Sequence, residues 1–401
     1  NPPVDDTCHL RMDVTVAVRQ PWVSRFCVRQ HRSLCLGRTS STHRRTLDLR
    51  RVARCASAMS TVAVVGGGIA GVAAARVLCR QGYQVRLYER NERLGGRLGN
   101  AQMGPHHVGL GTTYVKAKDP IFKAEMAKLE EMGLVNEWNV RTPYFIESPG
   151  AFLAKPELKG SDVWYVGRPT MESFVLLEET NLTRCSEVSS LRRDEASWCI
   201  NGEDEVSALI LALPVAQIQS LLAPGSLYEL LPKDTLDKDF EKGRVAAAFA
   251  FPSSLSLPFS LAFVKDSPIS LVLNDSSRAP PGDEETTKAD AEVWVVQTSA
   301  EWAAECRANG MPEEEVCRRL LEEFLRIVGK DGMVPPEHMK AIHWLYGDGD
   351  YKLPDGFASD PSRRLYLCGD WCYNGRVEGA YLSGMKAASS LSKELMKSGG
   401  A

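Results

Sequence analysis

Thr61-Val62-Ala63-Val64-Val65-Gly66-Gly67-Gly68-Ile69-Ala70-Gly71-Val72-Ala73-Ala74-Ala75-Arg76-Val77-Leu78 is the stretch on which the fold turns. A short apolar, β-branched run, a cluster of glycines and an alanine-rich apolar run read as strand, tight turn and helix. Gly66 permits the turn, Gly68 lets the backbone approach a pyrophosphate without an intervening Cβ, and Gly71 allows close helix–strand packing. Gly67 and Ala70 complete the turn, and the free amides and dipole of the helix start attract an anion. A second strand, Gln84-Val85-Arg86-Leu87-Tyr88, ends at Glu89 and Arg90. A carboxylate about twenty residues past the glycines stands where a dinucleotide site needs an acceptor for the adenosine ribose hydroxyls. It also repels a 2′-phosphate.

Two further segments extend this site. Arg93-Leu94-Gly95-Gly96-Arg97 follows closely on Glu89, and this second glycine pair with its arginine resembles the extended FAD motif of the amine-oxidase superfamily. The resemblance lays Gly95 and Gly96 along the diphosphate and puts Arg97 near the phosphates. Near the far end of the chain, Leu365-Tyr366-Leu367-Cys368-Gly369-Asp370-Trp371 is followed by Gly375-Arg376-Val377-Glu378-Gly379-Ala380. In FAD proteins of this type the aspartate, here Asp370, accepts hydrogen bonds from the ribityl hydroxyls. The helix beginning around Val377 aims its dipole at the flavin N1–C2=O region, where negative charge develops on reduction.

The whole set, Gly66-x-Gly68-x-x-Gly71, Glu89, Gly95-Gly96-Arg97 and Gly369-Asp370-Trp371 through Ala380, resembles the renalase-like FAD/NAD(P)-dependent oxidoreductases of the flavin amine oxidase superfamily. Lys118-Asp119-Pro120, Tyr165-Val166-Gly167-Arg168-Pro169, Leu211-Ala212-Leu213-Pro214, Trp294-Val295-Val296 and Trp344-Leu345-Tyr346 match the same pattern in order. The resemblance covers roughly residues 61–395 and also puts the backbone of Val188 near the adenine. It implies an α/β fold: a Rossmann-like FAD-binding domain of the glutathione-reductase/amine-oxidase type with an interleaved α+β substrate domain. Residues 59–115, 183–222 and 355–398 are then the discontinuous FAD-binding domain, and 116–182 and 223–354 the substrate domain.

The sequence departs from relatives at two places. Gly109-Leu110-Gly111-Thr112-Thr113-Tyr114 replaces a segment that commonly reads Asp-His-Gly-Ala-Gln-Tyr, and Leu345 stands where arginine is common. Both changes bear on the substrate and leave the cofactor reading untouched.

The implied chemistry is passage of hydride from a small substrate to flavin N5, with reoxidation by O2 or another acceptor. Such transfer needs orientation and a dry pocket more than a protein acid or base, so no catalytic side chain is assigned. Thr113, Tyr114, Trp344, Tyr346 and Trp371 are the candidates for the substrate pocket. Renalase-like enzymes oxidise misreduced dihydronicotinamides, so an NAD(P)H-type substrate is implied. An amine oxidase, a desaturase of a lipophilic substrate and a non-catalytic FAD-binding protein stay open as alternatives. A disulfide reductase is disfavoured, because there is no second dinucleotide motif and no closely spaced redox cysteine pair among the eleven cysteines. Cys368 and Cys372 are the candidate points of covalent flavin attachment. His106-His107 is not a metal pair, since neighbours on a strand point to opposite faces, and no metal is expected.

Composition bounds the rest. Residues 1–59 hold eleven Arg, no Lys and four Asp, whereas the remainder holds 37 basic and 47 acidic residues. An acidic body argues against a nucleic-acid partner. The Arg-rich, Ser-rich, acid-poor front, residues 1–58, reads as a transit peptide, chloroplast ahead of mitochondrion, with a disordered tail of no targeting role as the alternative, and Val52-Ala53-Arg54-Cys55-Ala56 resembles a plastid processing site. The glycines and Arg76 interrupt the one long apolar stretch, so no transmembrane segment is expected. Between the glycine motifs, Thr183–Leu191, Ser197–Ile200 and Val206–Leu213 read as strands, Val215–Leu222 and Glu313–Val328 as helices, and Asp275–Lys288 as an exposed loop.

Overall fold

The computed structural model describes residues 61–398 apart from 141, 159–161, 177–181, 196, 223–229, 232–242, 279–290 and 347–350. The expected transit segment, residues 1–58, lies outside the described residues. The fold is mixed α/β and carries a Rossmann-like nucleotide-binding layer.

That layer is a six-stranded sheet in the order Leu182–Cys185, Gln84–Tyr88, Thr61–Val65, Ala208–Leu211, Leu365–Leu367, Ala358–Asp360. The first five are mutually parallel and the last is antiparallel. Strands covered on both faces must be apolar on both faces, and Val62–Val65, Ala208–Leu211 and Leu365–Leu367 are all buried. The chain leaves Thr61–Val65 toward Gln84–Tyr88 on one side and returns as Ala208–Leu211 on the other. The carboxyl ends of these central strands therefore open onto a crevice where a ligand settles. The helices Ile69–Arg80 and Val377–Ser398 pack against each other. A Cβ on Gly384 would sit 1.9 Å from the Ala70 carbonyl oxygen, so glycine there lets the two axes approach closely.

The second large sheet has seven strands in the order His338–Trp344, Arg244–Phe251, Glu292–Thr298, Ile269–Asn274, Leu261–Val264, Tyr144–Ser148, Ala151–Ala154. Its second strand, Arg244–Phe251, shows the two-residue period directly. Val245, Ala247, Phe249 and Phe251 pack with Val316, Leu320 and Phe324 of the helix Glu313–Ile327. Ala246, Ala248 and Ala250 face the other way, into the core shared with the nucleotide-binding layer. Large side chains on one face and alanines on the other let that second face come close to the cofactor crevice.

Three expectations need correction. Val206–Leu213 is not one strand: Val206 closes Asp204–Val206, and Ala208–Leu211 is a separate strand of the parallel sheet. Thr183–Leu191 is two strands rather than one: Leu182–Cys185 joins the parallel sheet, and Leu191–Arg193 joins a separate three-stranded sheet with Trp198–Ile200 and Asp204–Val206. The link between them is held by one side chain. Asn201 Oδ1 accepts from the backbone N–H groups of Ser189 (2.9 Å) and Ser190 (3.3 Å), and its Nδ2 donates to the Glu187 carbonyl at 2.9 Å. Those bonds replace ladder bonds. The expected exposed loop also begins differently. Asp275–Arg278 is a short 3₁₀ turn whose Asp275 and Arg278 side chains are mostly buried and 3.2 Å apart; residues 279–290 lie outside the described residues.

Candidate active site

The first glycine turn is stitched to both of its neighbours. Gly66 N–H donates to the Tyr88 carbonyl at 2.8 Å, and Gly67 N–H donates to Glu89 Oε2 at 2.8 Å. Gly95 N–H in turn donates to the Gly67 carbonyl at 2.9 Å. Strand end, carboxylate and second glycine pair thus form one rigid cradle. Two of its glycines do opposite things. A Cβ on Gly71 would sit 1.9 Å from the Gly66 carbonyl oxygen, so that glycine is there for packing. A Cβ on Gly68 would meet nothing within 4 Å. Gly68 is in ordinary extended geometry, faces the crevice, and caps the helix Ile69–Arg80 without a side-chain hydrogen bond.

From this turn a cavity of about 490 Å³ runs past the carboxyl ends of the central strands. Gly68, Ala70, Gly95, Arg97, Gly369, Asp370, Val377, Glu378 and Ala380 line it, and so do Thr113, Tyr114, Trp344 and Tyr346. Three segments far apart in sequence therefore share one cavity wall. Arg97 Nη2 lies 2.6 Å from Asp370 Oδ1, which ties the second glycine pair to the Gly-Asp turn. Glu378 Oε1 accepts from the backbone N–H groups of Lys118 (2.6 Å) and Asp119 (2.7 Å), pinning the turn that opens the helix Pro120–Glu131.

Gly66, Gly67, Gly71 and Gly379 shape the backbone behind this wall, and Gly96, next to Gly95, is exposed. Glu89 sits beneath the turn. Besides Gly67, its Oε1 accepts from the Asn91 backbone (2.9 Å) and side chain (2.7 Å), leaving acceptor capacity for a ribose hydroxyl. Arg90 is exposed, and Val188 is buried beside Trp198 and Leu209. Trp371 is the pocket candidate that the structure places elsewhere. It is 4% exposed, donates its indole N–H to the Leu213 carbonyl at 3.0 Å, and packs in the core behind the Gly-Asp turn instead of lining the cavity.

The segment that departs from its relatives, Gly109 to Tyr114, is held from three sides. Thr112 N–H donates to the Arg97 carbonyl at 2.8 Å, Gln297 Nε2 to the Gly111 carbonyl at 2.6 Å, and Trp344 Nε1 to the Leu110 carbonyl at 2.9 Å. Tyr114 stacks on Trp164 with ring centroids 4.2 Å apart. Burial raises the phenol's pKa. Sequence reasoning missed Lys116, Arg244 and Gln297 in the lining and took Arg376 only as part of a motif. The available signal was a polar residue at the edge of an apolar strand: Arg244 opens one such run and Gln297 nearly ends another.

Known proteins agree with this geometry. A model of the NAD(P)-binding Rossmann-like domain matches residues 64–128, and a model of the flavin containing amine oxidoreductases matches residues 180–392, more than half of the chain. The chain belongs to the flavin-containing amine oxidoreductase family. Among curated proteins of this kind, it is 40% identical over 63 residues to 4,4'-diapophytoene desaturase of Staphylococcus haemolyticus, covering 16% of this chain and 12% of that one. It is 33% identical over 143 residues to the L-amino-acid oxidase of Pseudechis australis, covering 31% and 27%. The chain thus aligns with about a quarter or less of the length of these relatives. Among solved structures, a putative protoporphyrinogen oxidase from Exiguobacterium sp. 255-15 superposes with a TM-score of 0.62 at 13% identity, over 84% of this chain and 99% of that one. That likeness confirms the fold.

A flavin amine oxidoreductase binds FAD, and the residues present here fit it. The open space above Gly68, the uncapped helix start behind it and the Arg97 guanidinium suit the diphosphate. Asp370 lines the cavity where it would accept from ribityl hydroxyls, and the start of Val377–Ser398 lines it too. These residues together make an FAD site of the flavin-containing amine oxidoreductase family.

Proposed function

We propose that this flavoprotein is renalase-like and oxidises a small donor of the dihydronicotinamide type by hydride transfer. Bound FAD supplies the two-electron acceptor; the chain supplies orientation, a dry wall and charge. One observation carries the reading: the described cavity wall holds no histidine or cysteine, and both of its carboxylates are already engaged. Asp370 pairs with Arg97, and Glu378 accepts two backbone amides. Desaturation of a carbon–carbon bond removes a proton as well as a hydride, so it calls for a base. A dihydronicotinamide gives up hydride alone and becomes the aromatic cation, with no proton to place. Tyr114, Trp344 and Tyr346 put aromatic side chains in the wall, which suits a planar ring. The polar groups Arg244, Gln297, Lys116 and Arg376 suit a polar donor better than the lipophilic one that a desaturase would take.

The test is anaerobic reduction. Purified yellow protein under nitrogen is mixed with dihydronicotinamides, primary amines, L-amino acids and a polyene. Bleaching by a dihydronicotinamide in preference to the others supports the reading, and bleaching by an amine or the polyene alone overturns it. For residues 1–58 we propose organelle import, plastid first, on the arginine-rich and acid-poor composition. A fluorescent protein fused behind residues 1–58 that stays in the cytosol would refute it.

A further inference from the structure

The electrostatics of the cavity are uneven. Among the described residues, Arg97, Lys116, Arg244 and Arg376 line it together with two carboxylates, Asp370 and Glu378. Arg97 is matched by Asp370, and with the Gly68 turn it serves the diphosphate. Lys116 and Arg376 line the same cavity as Tyr114. Lys116 Nζ lies 4.5 Å from the Trp164 ring centroid and 5.8 Å from that of Tyr114. Its carboxylate partner, Asp162 Oδ2, is 3.7 Å away and is shared with Lys118 Nζ at 3.6 Å. Arg376 is exposed, makes no ion pair among the described residues, and lines the same cavity as Tyr114 and Lys116. Burial brings the Lys116 pKa down, against the opposing pull of Asp162 and with smaller help from Lys118 and Arg376. Cations beside aromatic side chains, open to a cavity, are a receptor for an anion.

We propose that Lys116 and Arg376 form an anion subsite that takes a carboxylate or phosphate carried by the substrate, with the Tyr114 ring beside it. This rests on the proposed hydride-transfer reading for the identity of the donor, but not for the presence of the subsite. It accounts for the exposed guanidinium at Arg376, and it separates the preferred donors from neutral analogues of the same ring system.

The test uses the FAD-loaded full chain and its Arg376→Gln, Lys116→Gln and Arg376→Lys variants. Dihydronicotinamide riboside and its 5′-phosphate are compared as donors by anaerobic flavin reduction. Inorganic phosphate and benzoate are titrated separately while the flavin absorbance is followed. The phosphorylated donor is expected to show a KM at least about tenfold below that of the riboside. Arg376→Gln is expected to raise the KM of the phosphorylated donor about tenfold more than that of the riboside, with smaller effects on kcat, and Arg376→Lys to recover part of the loss. The spectral change with phosphate or with benzoate tells which anion the subsite takes, and it should vanish in Arg376→Gln. Equal effects on the two donors, or no anion-dependent spectral change in the parent protein, would overturn the subsite. Variants that purify colourless would overturn it too, by showing that these cations hold the cofactor. If no donor bleaches the flavin but anions still perturb it, the hydride-transfer reading fails and the subsite stands.

Discussion

Arg97 and Asp370, 273 residues apart in sequence, meet at 2.6 Å across the cofactor crevice. The Arg97 side chain is 38% exposed and that of Asp370 11%, so the pair by itself adds little to folding, about 1 kcal/mol or less after solvent screening. Its value lies in placing a cation and an acceptor on one ligand. Asp370→Asn keeps the shape and removes the charge. It should leave thermal unfolding of the apoprotein nearly unchanged while weakening FAD binding roughly 10- to 100-fold, the worth of one charged hydrogen bond. Titrating apoprotein with FAD by fluorescence quenching measures this.

Gly68 and Gly71 should separate binding from folding. Gly68→Val places its side chain in open space on a backbone that any residue adopts. The variant should fold with the stability of the wild-type apoprotein and purify colourless. Gly71→Val drives a Cβ against the Gly66 carbonyl. It should cost roughly 3 kcal/mol and reduce the yield of folded protein. Circular dichroism and flavin absorbance on the two variants give the comparison.

The buried ion pair of Arg76 and Glu125 joins the first helix to Pro120–Glu131 at 3.1 Å, and both side chains are less than a tenth exposed. Arg76 also donates to the Leu176 carbonyl. Glu125→Ala leaves a buried guanidinium without its carboxylate and should lose about 3 kcal/mol in urea unfolding. The double change Arg76→Met with Glu125→Leu should lose much less, because no charge is then left stranded.

The flavin should be held without a covalent bond to cysteine. Neither Cys368 nor Cys372 lines the cavity, and both are fully buried. Burial pushes the Cys368 thiol up to about 12 and raises Cys372 as well. A raised thiol pKa keeps both protonated throughout the neutral range, so neither is a nucleophile there. Acid precipitation should leave the yellow colour in the supernatant. Iodoacetamide at pH 8 should modify Cys368 and Cys372 only after denaturant is added, as peptide mass spectrometry would show.

The chain itself declared the cofactor and the parallel layer that binds it. Gly66 to Gly71, Glu89, Gly95 to Arg97 and Gly369 to Asp370 are local patterns, in which backbone freedom, a strand end and a helix start occupy adjacent positions, so spacing alone reveals them. The sequence did not declare the wall that meets the substrate. Lys116, Arg244, Gln297 and Arg376 come from four separate segments, and each looks like an ordinary surface or strand-edge residue until the sheet brings them to one cavity. Trp371 shows the converse: a motif neighbour that the turn of Gly369 sends into the core. Covalent proximity encodes the diphosphate cradle, whereas the charge and shape of the substrate end arise only when distant strands pack, because no short stretch of sequence contains both sides of that contact.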